Sequence, residues 1–292
     1  MNILTLSAGG AAAIGLIKSF KQLDIRTKIV GCDADPLAAG LCLCDKSYVI
    51  QPITPENEKD AWDEITNIIV KEKIDLFLPT SDRNALLFSK YKSQLESLGV
   101  KTFISSFDTV NLCRDKFKFW EALNPSFDMP SPIKAVFEKP NIGSGSRNMS
   151  LITANNGCTL WEYLPGKEYS VDVFCDNNNN IICTSVRERV GVKAGISVKG
   201  KIINHDYLKE ESNRLCKFLK IKGPCCIQWK EDEHGKPKLI ECNPRLGGGT
   251  YMTVLAGANP ADIYIKLYKN LPLPSIKITP ITVTRSYNEH IC

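Results

Sequence analysis

Apolar and polar positions follow two different rhythms along this chain. Up to about residue 104, short unbroken apolar runs alternate with segments of helical period. The runs predict strands at 3–7, 27–33, 75–79 and 101–104, and the periodic segments predict helices at 11–22, 60–71 and 82–96. That order predicts a parallel, doubly wound sheet. A helix is predicted at 108–123, and beyond it the rhythm becomes strand-like alternation. Strands are expected at 136–139, 148–152, 159–163, 168–175 and 181–187. Helices are expected at 207–218 and at 260–269, the latter with Pro260 in its first turn. The run Asp176-Asn177-Asn178-Asn179-Asn180 reads as a polar hairpin turn, and no internal repeat is visible.

The alternation is most informative around His234-Gly235, which predicts a tight β-hairpin between two strands. Pairing outward from a two-residue loop sets Glu233 against Lys236 and therefore Gln228 against Glu241. Side chains alternate faces along a strand, so Gln228, Glu241 and Asn243 project from one side, with Arg245 just past the strand end. Three hard oxygen donors beside a guanidinium suit a divalent cation that also binds phosphates. A solvated face of a surface hairpin is the competing explanation. Ligands of parallel sheets bind beyond the carboxyl ends of the strands. Those ends carry Ser7-Ala8-Gly9-Gly10, Asp33-Ala34-Asp35 and Pro79-Thr80-Ser81-Asp82.

Composition narrows the class. With 292 residues, 43% hydrophobic and 24% charged, the chain reads as a soluble globular protein of two or three units. No stretch reaches the roughly 20 apolar residues of a membrane span, and the first residues read as a strand rather than a signal peptide. A net charge of +5, spread along the chain, gives no nucleic-acid groove; Lys217, Lys220 and Lys222 read as solvated faces. The 12 cysteines contain no CxxC pair, and the 3 histidines lack ligand spacing. Reduced thiols, a cytoplasmic location and no zinc are the expectation.

Four further features occur in a fixed order. Lys116 follows the first unit. Lys139 closes a strand. The Gly/Ser loop Gly143-Ser144-Gly145-Ser146-Arg147 comes next, and then Trp161-Glu162-Tyr163-Leu164-Pro165-Gly166-Lys167-Glu168. A Gly/Ser loop can turn backbone N–H groups onto phosphate oxygens, and lysines can neutralise phosphates as point charges. Taken singly, the loop also reads as a plain turn and the lysines as solvated.

In their order these residues resemble the ATP-grasp superfamily, in the branch with carbamoyl-phosphate synthetase halves, biotin carboxylase and other carboxylate–amine ligases. The resemblance spans nearly the whole chain. It implies mixed α/β and α+β architecture: a Rossmann-like unit at 1–108, a linker helix and reduced lid at 109–175, and a core with the magnesium site at 176–292. It implies ATP and Mg2+ (or Mn2+) as cofactors. Lys116 and Lys139 become the nucleotide lysines and Gly143, Ser144, Gly145 and Ser146 the phosphate loop. Glu162, Tyr163 and Leu164 bracket the adenine, and Glu168 meets the ribose. Gln228, Glu241 and Asn243 hold the metal, while Arg245 and Lys139 act in catalysis. Gly9, Gly10, Asp82 and Arg187 are weaker substrate contacts; for Arg187 and Arg189 a salt-bridged surface strand is equally open.

The spacing departs from the family. Lys116 to Lys139 and Lys139 to Glu162 are each 23 residues, where relatives insert lid helices. A lid reduced to little more than its sheet is expected, completed by a partner or tolerated at slow turnover. Asn148 stands where a glycine commonly ends the loop. The resulting expectation is a ligase that makes an acyl-phosphate from a small carboxylate and transfers it to an amine. A homodimer is an open possibility. Two alternatives remain: an ATP-binding protein with weak or no catalysis, and a nicotinamide-dependent oxidoreductase using residues 7–15 and Asp33.

Overall fold

The computed structural model describes residues 1–138, 150–154, 158–286 and 288–289. Its first unit is built on apolar runs buried from both sides. It comprises β1 (Asn2–Leu6), α1 (Ala11–Lys21), β2 (Lys28–Asp33), β3 (Lys46–Val49), α2 (Glu58–Glu72), β4 (Leu76–Phe77), α3 (Asp82–Lys90), α4 (Lys92–Ser97) and β5 (Lys101–Thr102). The strands form one parallel sheet in the order β3-β2-β1-β4-β5. From β1 the chain steps outward to β2 and β3, then returns to β4 on the other side. The crevice at that reversal lies at the carboxyl ends of β1 and β4, where Ser7 Oγ and Ser81 Oγ stand 3.3 Å apart. Ser81 caps α3 by accepting from the Asn84 N–H, which fixes the loop after β4.

Two short helices follow, α5 (Phe107–Arg114) and α6 (Lys116–Leu123). One helix over 108–123 was expected. Asp115 divides it because its extended backbone breaks the helix while its carboxylate accepts from the Phe117 and Lys118 N–H groups and caps α6.

The next strands make two separate two-stranded sheets. β6 (Pro132–Ile133) pairs with β9 (Leu160–Trp161), and β7 (Ala135–Glu138) pairs with β8 (Ser150–Thr153). Neither joins a larger sheet, and among the described residues between Leu123 and Glu168 there is no helix. Among the described residues, these two pairs are all that stands where the short lid was expected.

The remainder is a six-stranded antiparallel sheet with helices. Its strands are β10 (Glu168–Cys175), β11 (Ile181–Lys193), β12 (Ile196–Ile203), β13 (Gly223–Glu231), β14 (Pro237–Asn243) and β15 (Ile281–Thr284), in the order β14-β13-β10-β11-β12-β15. Its helices are α7 (Asp206–Phe218), α8 (Thr250–Leu255) and α9 (Pro260–Tyr268). β3, β6, β12, α8 and β15 were not anticipated, and β11 runs six residues beyond its expected end before turning at Ala194-Gly195, both at positive φ.

Tyr169, Val171, Val173 and Cys175 of β10 and Cys225, Ile227 and Trp229 of β13 face Leu208, Leu215 and Cys216 of α7 in one core. Trp229 is fully buried there, its indole N–H donating to Ser212 Oγ. Ten described cysteines are free thiols, eight of them buried as small apolar groups. Cys42 is disulfide-bonded, so the expectation of a wholly reduced set fails at that position. Among the described residues no helix is long and apolar enough to cross a membrane.

Candidate functional site

Strand alternation sends the other parity of residues to the opposite face of the six-stranded sheet. There Ser170 pairs with both Arg187 and Gln228, and Asp172 pairs with both Ser185 and Cys226. Gln228 pairs with Glu241, and Cys226 with Asn243. One face thus carries Glu168, Ser170, Asp172, Arg187, Arg189, Gln228, Glu241 and Asn243. The predicted partner of Gln228 is the observed one, by a different route. The hairpin loop is longer than two residues: Asp232 bonds Lys236, with Gly235 at φ +77°. The register slip this introduces is reversed by a bulge that leaves Ile240 without a partner between Leu239 and Glu241.

The Glu241 carboxylate accepts from Asn243 Nδ2 at 2.9 Å and lies 3.7 Å from Lys116 Nζ. Gln228 Oε1 accepts from Arg189 Nη1 at 2.8 Å. Among the described residues no three His, Cys, Asp or Glu side chains gather as ligands for a metal. One carboxylate and two amide oxygens nevertheless suit a hard cation held mainly by phosphate oxygens, so the residues fit magnesium. Such a cation would supply charge neutralisation at phosphate oxygens.

Arg245 bridges the two units. Its Nε and Nη2 meet the two oxygens of Asp82 at 3.0 and 3.3 Å, a forked pair across 163 positions. The Leu246 N–H donates to the Pro79 carbonyl at 3.0 Å beside it. Burial opposes the Arg245 charge, yet the Asp82 carboxylate carries its pKa above the ordinary value. Ser7, Ser81, Asp82 and Arg245 line two adjoining cavities. One, of about 240 Å³, reaches Gly10, Arg187, Arg189, Gln228 and Gly249. The other, of about 530 Å³, reaches Lys116, Glu241 and Asn243.

The remaining expected residues fall as follows. Arg187 is not on a surface: it is 1% exposed, its Nη1 2.7 Å from Asp172. Asp172 also accepts from Thr253 Oγ1 at 2.6 Å and Thr250 Oγ1 at 3.0 Å, tying the sheet to α8. Glu168 is held by Arg189 Nη1 at 2.7 Å. Glu162 is bonded by Lys238 Nζ at 2.6 Å and by the Ser131 N–H at 3.1 Å, and Lys238 draws its carboxyl below the usual range. Tyr163 is exposed and Leu164 buried. The Gly9 N–H donates to Asp33 Oδ2 and the Gly10 N–H to the Ser7 carbonyl, so neither is free for a ligand, and Asp33 serves its own loop. Lys139, Gly143, Ser144, Gly145, Ser146 and Arg147 lie outside the described residues, as does Asn148.

Ser170, Asp172, Thr250 and Thr253 join this face without having been expected there. Asp172 was detectable: it is a carboxylate in an otherwise apolar strand, at the parity of Glu168. Its partners, 15 to 81 positions away, carry no local signal.

A parallel five-stranded unit followed by a six-stranded antiparallel sheet, with small two-stranded pieces between, defines an ATP-grasp architecture whose lid is short. Comparison with known proteins agrees. A family model described as the PylC-like N-terminal domain matches residues 3–103, and one described as ATP-grasp in the biosynthetic pathway with Ter operon matches residues 156–288. The carbamoyl phosphate synthase large chain of Clostridium botulinum (strain Alaska E43 / Type E3) is 25% identical over 346 aligned positions, covering 96% of this chain and 31% of its own. The chain therefore spans about a third of the length of that curated relative. Campylobacter jejuni biotin carboxylase, solved as a β-γ-ATP complex, superposes with a TM-score of 0.69 at 17% identity, covering 95% of this chain and 73% of its own. The biotin carboxylase domain dimer of Hydrogenobacter thermophilus 2-oxoglutarate carboxylase, in complex with MgADP and bicarbonate, gives 0.68 at 15%, with 95% and 72% covered. The chain belongs to the ATP-grasp superfamily.

Proposed function

We propose that this chain is a Mg-ATP-dependent ligase that activates a small carboxylate as an acyl-phosphate and passes the acyl group to an amine or related nucleophile. The observation that carries the proposal is the pair of adjoining cavities. One holds the Lys116–Glu241–Asn243 group, the other is small and polar, and Arg245 lines both. Phosphoryl transfer needs positioning and charge neutralisation more than a reactive side chain, and the site supplies a fixed guanidinium in Arg245, the Lys116 ammonium and amide groups.

In this reading Gln228, Glu241 and Asn243 would hold magnesium, and Lys116 neutralises phosphate oxygens beside it. Lys139 and the loop Gly143-Ser144-Gly145-Ser146 are assigned to the same phosphates by resemblance. Glu162, Tyr163 and Leu164 are assigned to the adenine and Glu168 to the ribose; the first and last require Lys238 and Arg189 to yield part of their present bonds. Arg245, oriented by Asp82, lies where it can serve the transferred phosphoryl group. Asp82, Arg187 and Arg189 shape the acid-binding cavity, and Gly9 and Gly10 contribute backbone shape rather than donors.

The test is ADP release with Mg-ATP against pooled small carboxylic acids and amines, repeated with Glu241→Ala. Acid-dependent ADP release that the variant abolishes supports the proposal. Nucleotide binding without ADP release across the pool would leave an ATP-binding protein without this chemistry.

A further inference from the structure

Five thiols converge in the core beneath the site and take no part in the chemistry above. Cys113 of α5, Cys242 of β14, Cys225 of β13, Cys216 of α7 and Cys175 of β10 belong to one buried cluster, each from a different element. They touch one after another. Cys242 is in hydrogen-bond contact with Cys113 and with Cys225, and Cys225 Sγ stands 3.3 Å from Cys242 Sγ. Cys216 continues the line from Cys225 to Cys175. Among the described residues no three such side chains gather as ligands for a metal, so the sulfurs make a row and not a cage.

One end of the row is open. Cys113 and Cys242 line the larger cavity, beside Glu241 and Asn243. Cys113 is 7% exposed, whereas Cys242 and Cys225 are 0% and 1% exposed. An oxidant arriving through the cavity therefore meets Cys113 first. Burial opposes a charge on Cys225, but hydrogen bonds from Cys216 and Cys242 and the charge of Arg245 carry its pKa below the ordinary thiol value. The thiolate is the attacking form in disulfide exchange. Cys242 stands between Glu241 and Asn243, and the bulge at Ile240 gives its strand a place to yield.

We propose that Cys113, Cys242 and Cys225 form an oxidation relay that closes a Cys225–Cys242 disulfide under the strand bearing Glu241 and Asn243, with hydrogen peroxide as the oxidant. Peroxide oxidises Cys113 to its sulfenic acid and departs as one water. The Cys242 thiol displaces a second water and forms a Cys113–Cys242 disulfide. Cys225 then attacks the Cys242 sulfur, and Cys113 leaves with the proton as a thiol. In sum, two S–H bonds and one O–O bond give way to one S–S bond and two O–H bonds. Closure brings two sulfurs from 3.3 Å to about 2.05 Å, which pulls on the residues flanking Cys242. The effect on the metal site rests on the ligase reading; the disulfide itself does not.

The test treats the whole chain with hydrogen peroxide, alkylates the remaining thiols and maps cross-linked peptides by mass spectrometry without reductant. Oxidation of the exposed Cys158 reports the dose. The parent is expected to show the Cys225–Cys242 cross-link at that dose. Cys226→Ala should keep it, Cys225→Ala should trap a Cys113–Cys242 bond, and Cys113→Ala should slow closure on the order of tenfold. The Cys42 disulfide is common to all four and cancels from the comparison. No cross-link in the parent once Cys158 is oxidised, or a Cys226–Cys242 bond in Cys225→Ala, would overturn the proposal. Acid-dependent ADP release should fall about tenfold or more on oxidation, the scale of an ångström's misplacement. It should return with dithiothreitol, and Cys113→Ala should be spared at the same time point. A cross-link that leaves ADP release unchanged would refute the effect on the metal site. A cross-link in a chain that never releases ADP would support the relay and count against the ligase reading alone.

Discussion

The six-stranded sheet has two faces made by the same strands with opposite properties. Toward α7, Tyr169, Val171, Val173, Ile227 and Trp229 are buried in an apolar core. Toward the first unit, the alternate residues Glu168, Asp172, Arg187, Arg189, Gln228 and Glu241 form a field of paired polar and charged groups. Apolar burial stabilises without direction, whereas the charged face must be held by specific partners. The two faces differ in what a substitution should remove: stability on one, chemistry on the other. Asp172, with its equally buried partner Arg187, departs from that division. It lies on the charged face but is only 1% exposed and anchors a guanidinium and two hydroxyls.

That exception is the sharpest way to break the division. Asp172→Ala strands a buried guanidinium, and loss of one partner of such a pair costs about 3–5 kcal/mol. Urea denaturation should show it as damaging as Trp229→Ala on the core face, for which truncation of a buried aromatic costs about 3–5 kcal/mol. A normal midpoint for Asp172→Ala would show that the polar face carries no stability. Glu241→Ala should behave oppositely. Acid-dependent ADP release is expected to fall on the order of 100-fold or more, the scale of losing one preorganised electrostatic group. Its melting temperature should stay close to the parent's, because Glu241 is partly exposed.

Gly249→Ala probes the seam between the faces. Its methyl group would crowd the Arg187 guanidinium, and overpacking costs about 1–3 kcal/mol. Thermal melts should report that loss. The smallest effect is at the strand edge, where Lys238 holds the Glu162 carboxyl below its ordinary 4.5. A depressed carboxylate stabilises the fold above 4.5 and loses that contribution as pH falls through its folded value. Lys238→Ala should therefore lower the midpoint at pH 7 by at most about 1 kcal/mol, and the difference from the parent should close in acid.

The sequence revealed strand alternation well, and interactions between distant positions poorly. β10 has its expected bounds because its buried face is unbroken, and Gln228 meets Glu241 as alternation predicts. β12 carries the signal Ile196-Ser197-Val198-Lys199 with the Ala194-Gly195 turn before it, so this strand was legible in the sequence though not expected. The six-residue α8 follows three glycines, and β3 is a mostly exposed edge, so neither has a strong local pattern. In the site, residue types were legible but partners were not. Nothing local links Arg245 to Asp82 or Lys116 to Glu241, since only the packed chain brings them together.

The latch between Arg245 and Asp82, with the Leu246–Pro79 backbone bond beside it, has a consequence for how such proteins diversify. Each unit donates one side of the same wall, so grafting the opening hundred residues from a cousin would import a mismatched lock as well as new loops. Hybrids should regain function when Asp82 and Arg245 travel as a couple, and fail when either is inherited alone.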